Sequence, residues 1–182
     1  MKVKLYFRGI SANILLLGLV SFLNDLSSEM IMPILPMFIT ALGGGGLVIG
    51  LIGGLSDSVA SILKVFAGFW SDKTGKRKIF ISSGYLTSSF FKLFLAFSQI
   101  WQHVLVFTGL ERVGKGLRTA PRDAILADSM CGKRGRGFGI HRTMDTCGAI
   151  GGSVVVFLLF WFLAFDFKLI IFIAAIIAFF SL

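Results

Sequence analysis

From Ser11 to Leu182 the chain reads as six apolar stretches, with no polar interval long enough to form a domain of its own. In a bilayer every backbone N–H and C=O must be satisfied within the protein, so an apolar stretch of about 20 residues forms a membrane-spanning helix. The stretches run over about 11–39, 47–70, 79–100, 104–127, 138–165 and 169–182. Six spans of about 20 residues use about 120 residues. Of the 182 available, that leaves only enough for termini and short loops. Charged residues make up 15% of the chain and hydrophobic ones 55%, against about 25% charged in a soluble domain. A soluble globular fold, a disordered chain and a coiled coil are excluded. The predicted fold is an all-α membrane protein, a single domain of six transmembrane helices over 1–182.

The basic residues set the expected orientation. Lys2, Lys4 and Arg8 precede the first span, Lys73, Lys76, Arg77 and Lys78 follow the second, and Lys133, Arg134 and Arg136 follow the fourth. The alternate loops hold only Lys168. Cytoplasmic loops carry the excess of Lys and Arg, which predicts a multi-pass protein of the cell membrane with a cytoplasmic N-terminus. Topology thus accounts for the formal net charge of +9 without a nucleic-acid partner. A cleaved signal peptide does not fit, because Asn24, Asp25 and Glu29 interrupt the first stretch. The sixth stretch has 14 residues, about 21 Å of helix against a hydrocarbon core of about 30 Å. The last helix is therefore expected to be truncated. Cys131 and Cys147 form no CxxC and no ligand set with His103 or His141. They are expected to be reduced packing thiols, and neither metal nor cofactor is predicted.

Ionisable residues inside spans are costly and are functional candidates by default. Span one carries Asp25 and Glu29, four apart on one helical face; span two carries Asp57 and Lys64; span three carries Lys92. Span four carries Glu111, Arg112, Lys115, Arg118, Arg122 and Asp123, and span five carries Arg142 and Asp145. So dense a set must face a water-filled cavity or protein. The candidate substrate or ion pathway is Asp25, Glu29, Asp57, Arg112, Lys115 and Asp145. Pairing for structure alone is the alternative for each, and it is the reading adopted for Arg122 and Asp123 near the interface. Lys64 and Lys92 have the reach to snorkel to the membrane surfaces. A carboxylate shielded from water holds its proton more tightly, so Asp25 or Glu29 is suited to exchanging a proton. Pro33 and Pro36 in span one and Pro121 in span four predict bent helices. Gly46, Gly50, Gly54 and Ser58, and likewise Gly148 and Gly152, predict small-residue faces for helix packing. Acidic and basic groups are both present, so the charge of a solute stays open.

No HExxH, no GxSxG elbow and no GxGD pair occurs, so an enzyme is not expected. The loop after span two reads Gly68-Phe-Trp-Ser-Asp72-Lys73-Thr-Gly75-Lys76-Arg77-Lys78. In pattern and position it resembles the signature loop of the major facilitator superfamily. Arg112-Val-Gly-Lys115-Gly116 resembles that family's helix-four motif, and Ala127-Asp128 the aspartate that closes the helix. Gly148-Ala-Ile-Gly151-Gly152 is similar to its antiporter motif, without the proline. The resemblance implies a prokaryotic permease: twelve helices in two halves, each half built of two inverted three-helix repeats. It implies secondary transport of a small solute by alternating access, with membrane lipid as the surroundings; the shielded carboxylates suit a proton as the coupling ion, and Na+ coupling would use the same groups. It also implies a gating role for Gly68, Asp72, Lys73, Gly75, Lys76, Arg77 and Asp128. A chain of this length supplies the N-terminal half. The second half is a separate chain, a missing C-terminal part, or another copy. The competing reading is a non-transporting membrane subunit, or an inactive truncated remnant of such a permease.

Overall fold

A computed structural model describes residues 12–129 and 134–182. Lys2, Lys4, Arg8, Cys131 and Lys133, and the side chain of Arg134, lie outside that description. The described residues form seven helices: α1 Ala12–Ile31, α2 Leu35–Ala41, α3 Gly46–Thr74, α4 Arg77–Ala96, α5 Trp101–Asp128, α6 Arg134–Trp161 and α7 Phe167–Phe179.

The expected first span is two helices rather than one bent helix. Pro33 has no N–H to give and its ring crowds the carbonyl four residues back, so α1 stops at Ile31 and α2 restarts at Leu35 with Pro36 in its first turn. Pro121 has a different effect. It is buried within α5, which runs through it unbroken for 28 residues. Gly75 closes α3 in the left-handed region at φ 67°, its N–H bonded to Ser71 O at 3.0 Å. A residue with a Cβ is strained there. The turn lets α4 begin two residues later.

Four of the helices, α1, α3, α4 and α6, are long and apolar enough to cross a membrane by length and composition. The 28 residues of α5 span about 42 Å, but its charges lower its hydropathy, and Glu111, Arg112 and Arg118 among them are buried in the bundle. The 13 residues of α7 are apolar but short.

Packing follows a pattern that no single helix reveals. α5 lies against α3 and α4, α1 lies against α6, and α7 packs on both α4 and α1. With α1 and α2 counted as one, exchanging the first three helices for the last three turns α3–α5 into α6–α1, turns α4–α5 into α7–α1, and leaves α4–α7 unchanged. The principal contacts are thus those of two equivalent three-helix units. A close backbone approach joins α4 to α5, where a Cβ on Gly114 would stand 2.5 Å from Gly84 O and 2.7 Å from Ser88 N. Gly148 and Gly152 meet the carbonyls of Phe22 and Leu26, so their packing role holds. Gly46, Gly50 and Gly54 touch nothing else in the described chain, and the small-residue face of α3 is unpaired here.

The interior is partly inverted relative to a soluble protein. One end of the bundle holds an apolar core that includes Met30, Phe38, Ile39, Ile52, Val104, Ile170 and Ile171. Below it the buried residues turn polar: Ser21, Asn24, Ser27, Ser88, Ser89, Lys92, Glu111, Arg112, Arg118, His141 and Asp145. Large apolar side chains lie outside instead, with Leu47 83% exposed and Trp161 72%. Water would penalise that skin and lipid does not. Cys147 is exposed rather than packed, and its thiol is free.

Candidate functional site

Among the described residues, three clusters of charge occur along the bundle. The first caps the helix ends. Asp72 closes α3, Arg77 opens α4 and Asp128 closes α5. Arg77 donates to Asp72 Oδ1 from Nη2 at 2.8 Å and from Nε at 3.1 Å, and from Nη1 to Asp128 Oδ2. One fork thereby ties three helix ends together. The basic residues beside it do not join: Lys73 and Lys76 are exposed. Gly68 lies where α3 meets α5, with Ala120 Cβ 3.2 Å from the place a Cβ would take.

The second cluster is enclosed. Glu111 and Arg112 of α5 are both buried, 3.4 Å apart from Oε2 to Nε, and Ser88 donates to Glu111 at 2.9 Å. Lys92 of α4, only 1% exposed, donates to Ser28 Oγ at 2.9 Å, Ser27 Oγ at 3.1 Å and Asn24 O at 3.4 Å. The Lys92 side chain does not snorkel: it lies across the bundle onto the polar stripe of α1. Arg112 Nη2 reaches Met32 Sδ at 3.3 Å, while Arg112 Nε and Thr108 Oγ1 have no hydrogen-bond partner. Ser28, Met32, Lys92, Thr108, Glu111 and Arg112 surround a cavity of about 20 Å³, which has room for one water.

The third cluster is open. Asp25 of α1, Lys115, Arg118, Thr119 and Arg122 of α5, and Arg142, Asp145, Thr146 and Ala149 of α6 line a pocket of about 300 Å³. Its walls are braced from behind. Arg118 donates to Asn24 Oδ1 at 3.0 Å and stacks 4.3 Å over the ring of Tyr85. Arg122 donates to Ser21 Oγ at 2.9 Å, and its other guanidinium edge meets Asp123 of its own helix at 3.3 Å. Ser21 Oγ also meets Tyr85 Oη and His141 Nε2, each at 3.1 Å. His141 Nδ1 lies 3.4 Å from Asp145 Oδ2, and Asp145 Oδ1 has no partner.

The structure divides the sequence-derived pathway residues. Asp25, Lys115 and Asp145 meet in the open pocket, whereas Arg112 lies in the enclosed cavity. Glu29 lines neither; its Cβ stands 3.0 Å from the place a Cβ on Gly152 would take, at the α1–α6 crossing. Asp57 lines neither and is exposed on α3. Arg122, read as structural, is a pocket wall as well as the partner of Asp123. Sequence reasoning passed over Tyr85, His141 and the serines. Their signals were present: His141 and Asp145 are four apart, and Ser21, Asn24, Ser27 and Ser28 step by three and four along α1.

A family model described as Major Facilitator Superfamily matches residues 17–182. The chain is 57% identical over 175 residues to an uncharacterized MFS-type transporter of Methanocaldococcus jannaschii, covering 96% of this chain and 44% of that protein. It is 32% identical over 142 residues to an uncharacterized protein of Mycobacterium bovis and to one of Mycobacterium tuberculosis, covering 76% of this chain and 34% of each. Its fold is similar to that of a bacterial homolog to the human lysosomal transporter Spinster, solved in an inward-facing and unoccupied conformation. That match has a TM-score of 0.71 at 18% identity and covers 96% of this chain and 43% of the other. The chain spans less than half the length of the relatives it matches.

Proposed function

We propose that this chain, which belongs to the major facilitator superfamily, forms one six-helix half of a proton-coupled secondary transporter that works by alternating access in the cell membrane. The observation that carries the reading is the open charged pocket. A bundle with an apolar skin holds Asp25, Lys115 and Asp145 around about 300 Å³ of space, and charges of that density persist inside a membrane where a solute or ion uses them. The helices count as six spans when α1 and α2 are taken as one broken span and the short α7 is included. The matching contacts of the two three-helix units support their descent as repeats. A second six-helix half, as a further part of the polypeptide, a separate chain or another copy, closes the pocket.

Asp25 is the proton-exchanging carboxylate. It lines the pocket and, among the described residues, takes part in no ion pair. Lys115 and Asp145 face the solute with it. Arg112 holds the charge of its neighbour Glu111, and Glu29 and Asp57 serve the part of the path that the second half completes. The Asp72–Arg77–Asp128 cluster is the latch. It holds α3, α4 and α5 together at one end and releases them when the pocket opens to the other side, with Lys73 and Lys76 available in the released state. The excess of basic residues in that loop and before the first span supports a cytoplasmic side for that end and for the N-terminus.

The test is proton flux in liposomes holding the transporter with both six-helix halves under an imposed pH gradient. Flux lost in Asp25→Asn, with helix content unchanged, supports the reading. Flux at the normal rate in both Asp25→Asn and Arg112→Ala refutes it.

A further inference from the structure

We propose that the pocket between α1, α5 and α6 binds a small anion carrying a carboxylate or phosphate group; the inference rests on the transport reading and names its solute class. The sequence left the sign of the solute open because acids and bases are both present among its spans. The structure shows which of them share one pocket. Four cations, Lys115, Arg118, Arg122 and Arg142, line the pocket against two carboxylates, Asp25 and Asp145. Asp123, which meets Arg122 from its own helix, still leaves one positive charge in excess. Glu111 is the nearby acid, and it belongs to the enclosed cavity with two cations of its own, Lys92 and Arg112.

The positive charge is also fixed in place and unspent. Arg118 is 3% exposed, and its contacts are a neutral amide oxygen and the face of a tyrosine ring. These orient the guanidinium without neutralising it. Lys115 and Arg142 take part in no ion pair among the described residues. Arg118 is the buried one of the three, with Lys115 half-buried and Arg142 exposed at the mouth; a buried cation without a counter-ion is costly, and an acid group placed beside Arg118 offsets that cost. Guanidinium forks match carboxylate and phosphate oxygens two at a time, while the lysine adds a mobile point charge. Thr119 and Thr146 supply hydroxyls along the same wall, and the volume suits a small organic acid or phosphate rather than a bulky lipophile.

The experiment is isothermal titration of the full chain in neutral detergent at low ionic strength, using inorganic phosphate, succinate, tetramethylammonium and phosphatidylglycerol as separate probes. Saturable binding of phosphate or succinate is expected. It weakens about tenfold in Lys115→Gln or Arg142→Gln, the loss of one charge-assisted hydrogen bond. It tightens in Asp25→Asn, a gain that a merely structural role for these residues does not produce. Circular dichroism confirms that each variant keeps its helix. Preference for tetramethylammonium, binding of phosphatidylglycerol alone, binding of no probe, or an anion affinity unmoved by the three substitutions overturns the inference. Each of those results leaves the proton-flux test of transport standing, so the two failures are distinguishable.

Discussion

Glu111 is the carboxylate on which the enclosed cluster depends, and removing it should cost more than removing either wall of hydroxyls around it. Two cations, Lys92 and Arg112, share the small cavity with it. In Glu111→Gln both remain buried with no anion beside them. Stripping one partner from a buried ion pair costs about 3–5 kcal/mol. Lys92→Met has the opposite balance. It forfeits three hydrogen bonds to Ser27, Ser28 and Asn24, each worth about 1 kcal/mol net. It also removes the cation in excess and leaves Glu111 matched one-to-one with Arg112. Ser27 keeps a partner, because its hydroxyl donates to Ala174 O at 2.6 Å. The net cost should be about 0–2 kcal/mol. For a chain of this size 1 kcal/mol moves Tm by about 2–4 °C. Thermal unfolding in detergent, followed by far-ultraviolet circular dichroism, should therefore show Glu111→Gln falling by about 6–20 °C and Lys92→Met by less than about 8 °C. The double variant should recover part of the Glu111→Gln loss. A Lys92→Met variant as unstable as Glu111→Gln, or a double variant no better than Glu111→Gln alone, refutes the charge balance argued here.

The glycine crossing gives a second comparison. Gly114→Ala gains about 1 kcal/mol of helix propensity, but its Cβ meets backbone of α4 that cannot step aside. Overpacking at about 1–3 kcal/mol or more should outweigh that gain and lower Tm. Gly50→Ala meets nothing in the chain and should leave Tm level or raise it, so a larger loss in Gly50→Ala than in Gly114→Ala contradicts the packing. Arg77→Ala should separate stability from conformational balance. Its pairs with Asp72 and Asp128 are largely exposed and worth about 0–1 kcal/mol each. Tm should hardly move, while pH-driven flux changes; flux equal to that of the unaltered chain counts against the latch.

The membrane class and the charged stripe of α5 were legible because each depends on short-range patterning. Hydropathy over about 20 residues fixes a span wherever it lies in the bundle. The Gly68 to Lys78 loop was equally plain, since Gly75 must close α3 for local backbone reasons. Pro33 announced a disturbance in the first span, but a bend and a full break differ only in whether the freed carbonyls find partners, and that depends on neighbours. The snorkelling read for Lys92 failed for the same kind of reason. A long side chain reaches the surface or the interior equally well, and here Ser27 and Ser28 of α1 stand within its reach.

The sequence by itself therefore determined that the chain spans a membrane, which family it joins and which residues carry charge into its helices. Only the tertiary structure decided how those charges divide: Arg112 and Glu111 shut away with Lys92, and Asp25, Lys115 and Asp145 gathered with three arginines around an open pocket. The reason is physical. A helical period places a residue on a face, whereas the sign of a cavity is a sum over helices far apart in the chain. That sum exists only once α1, α5 and α6 have packed together.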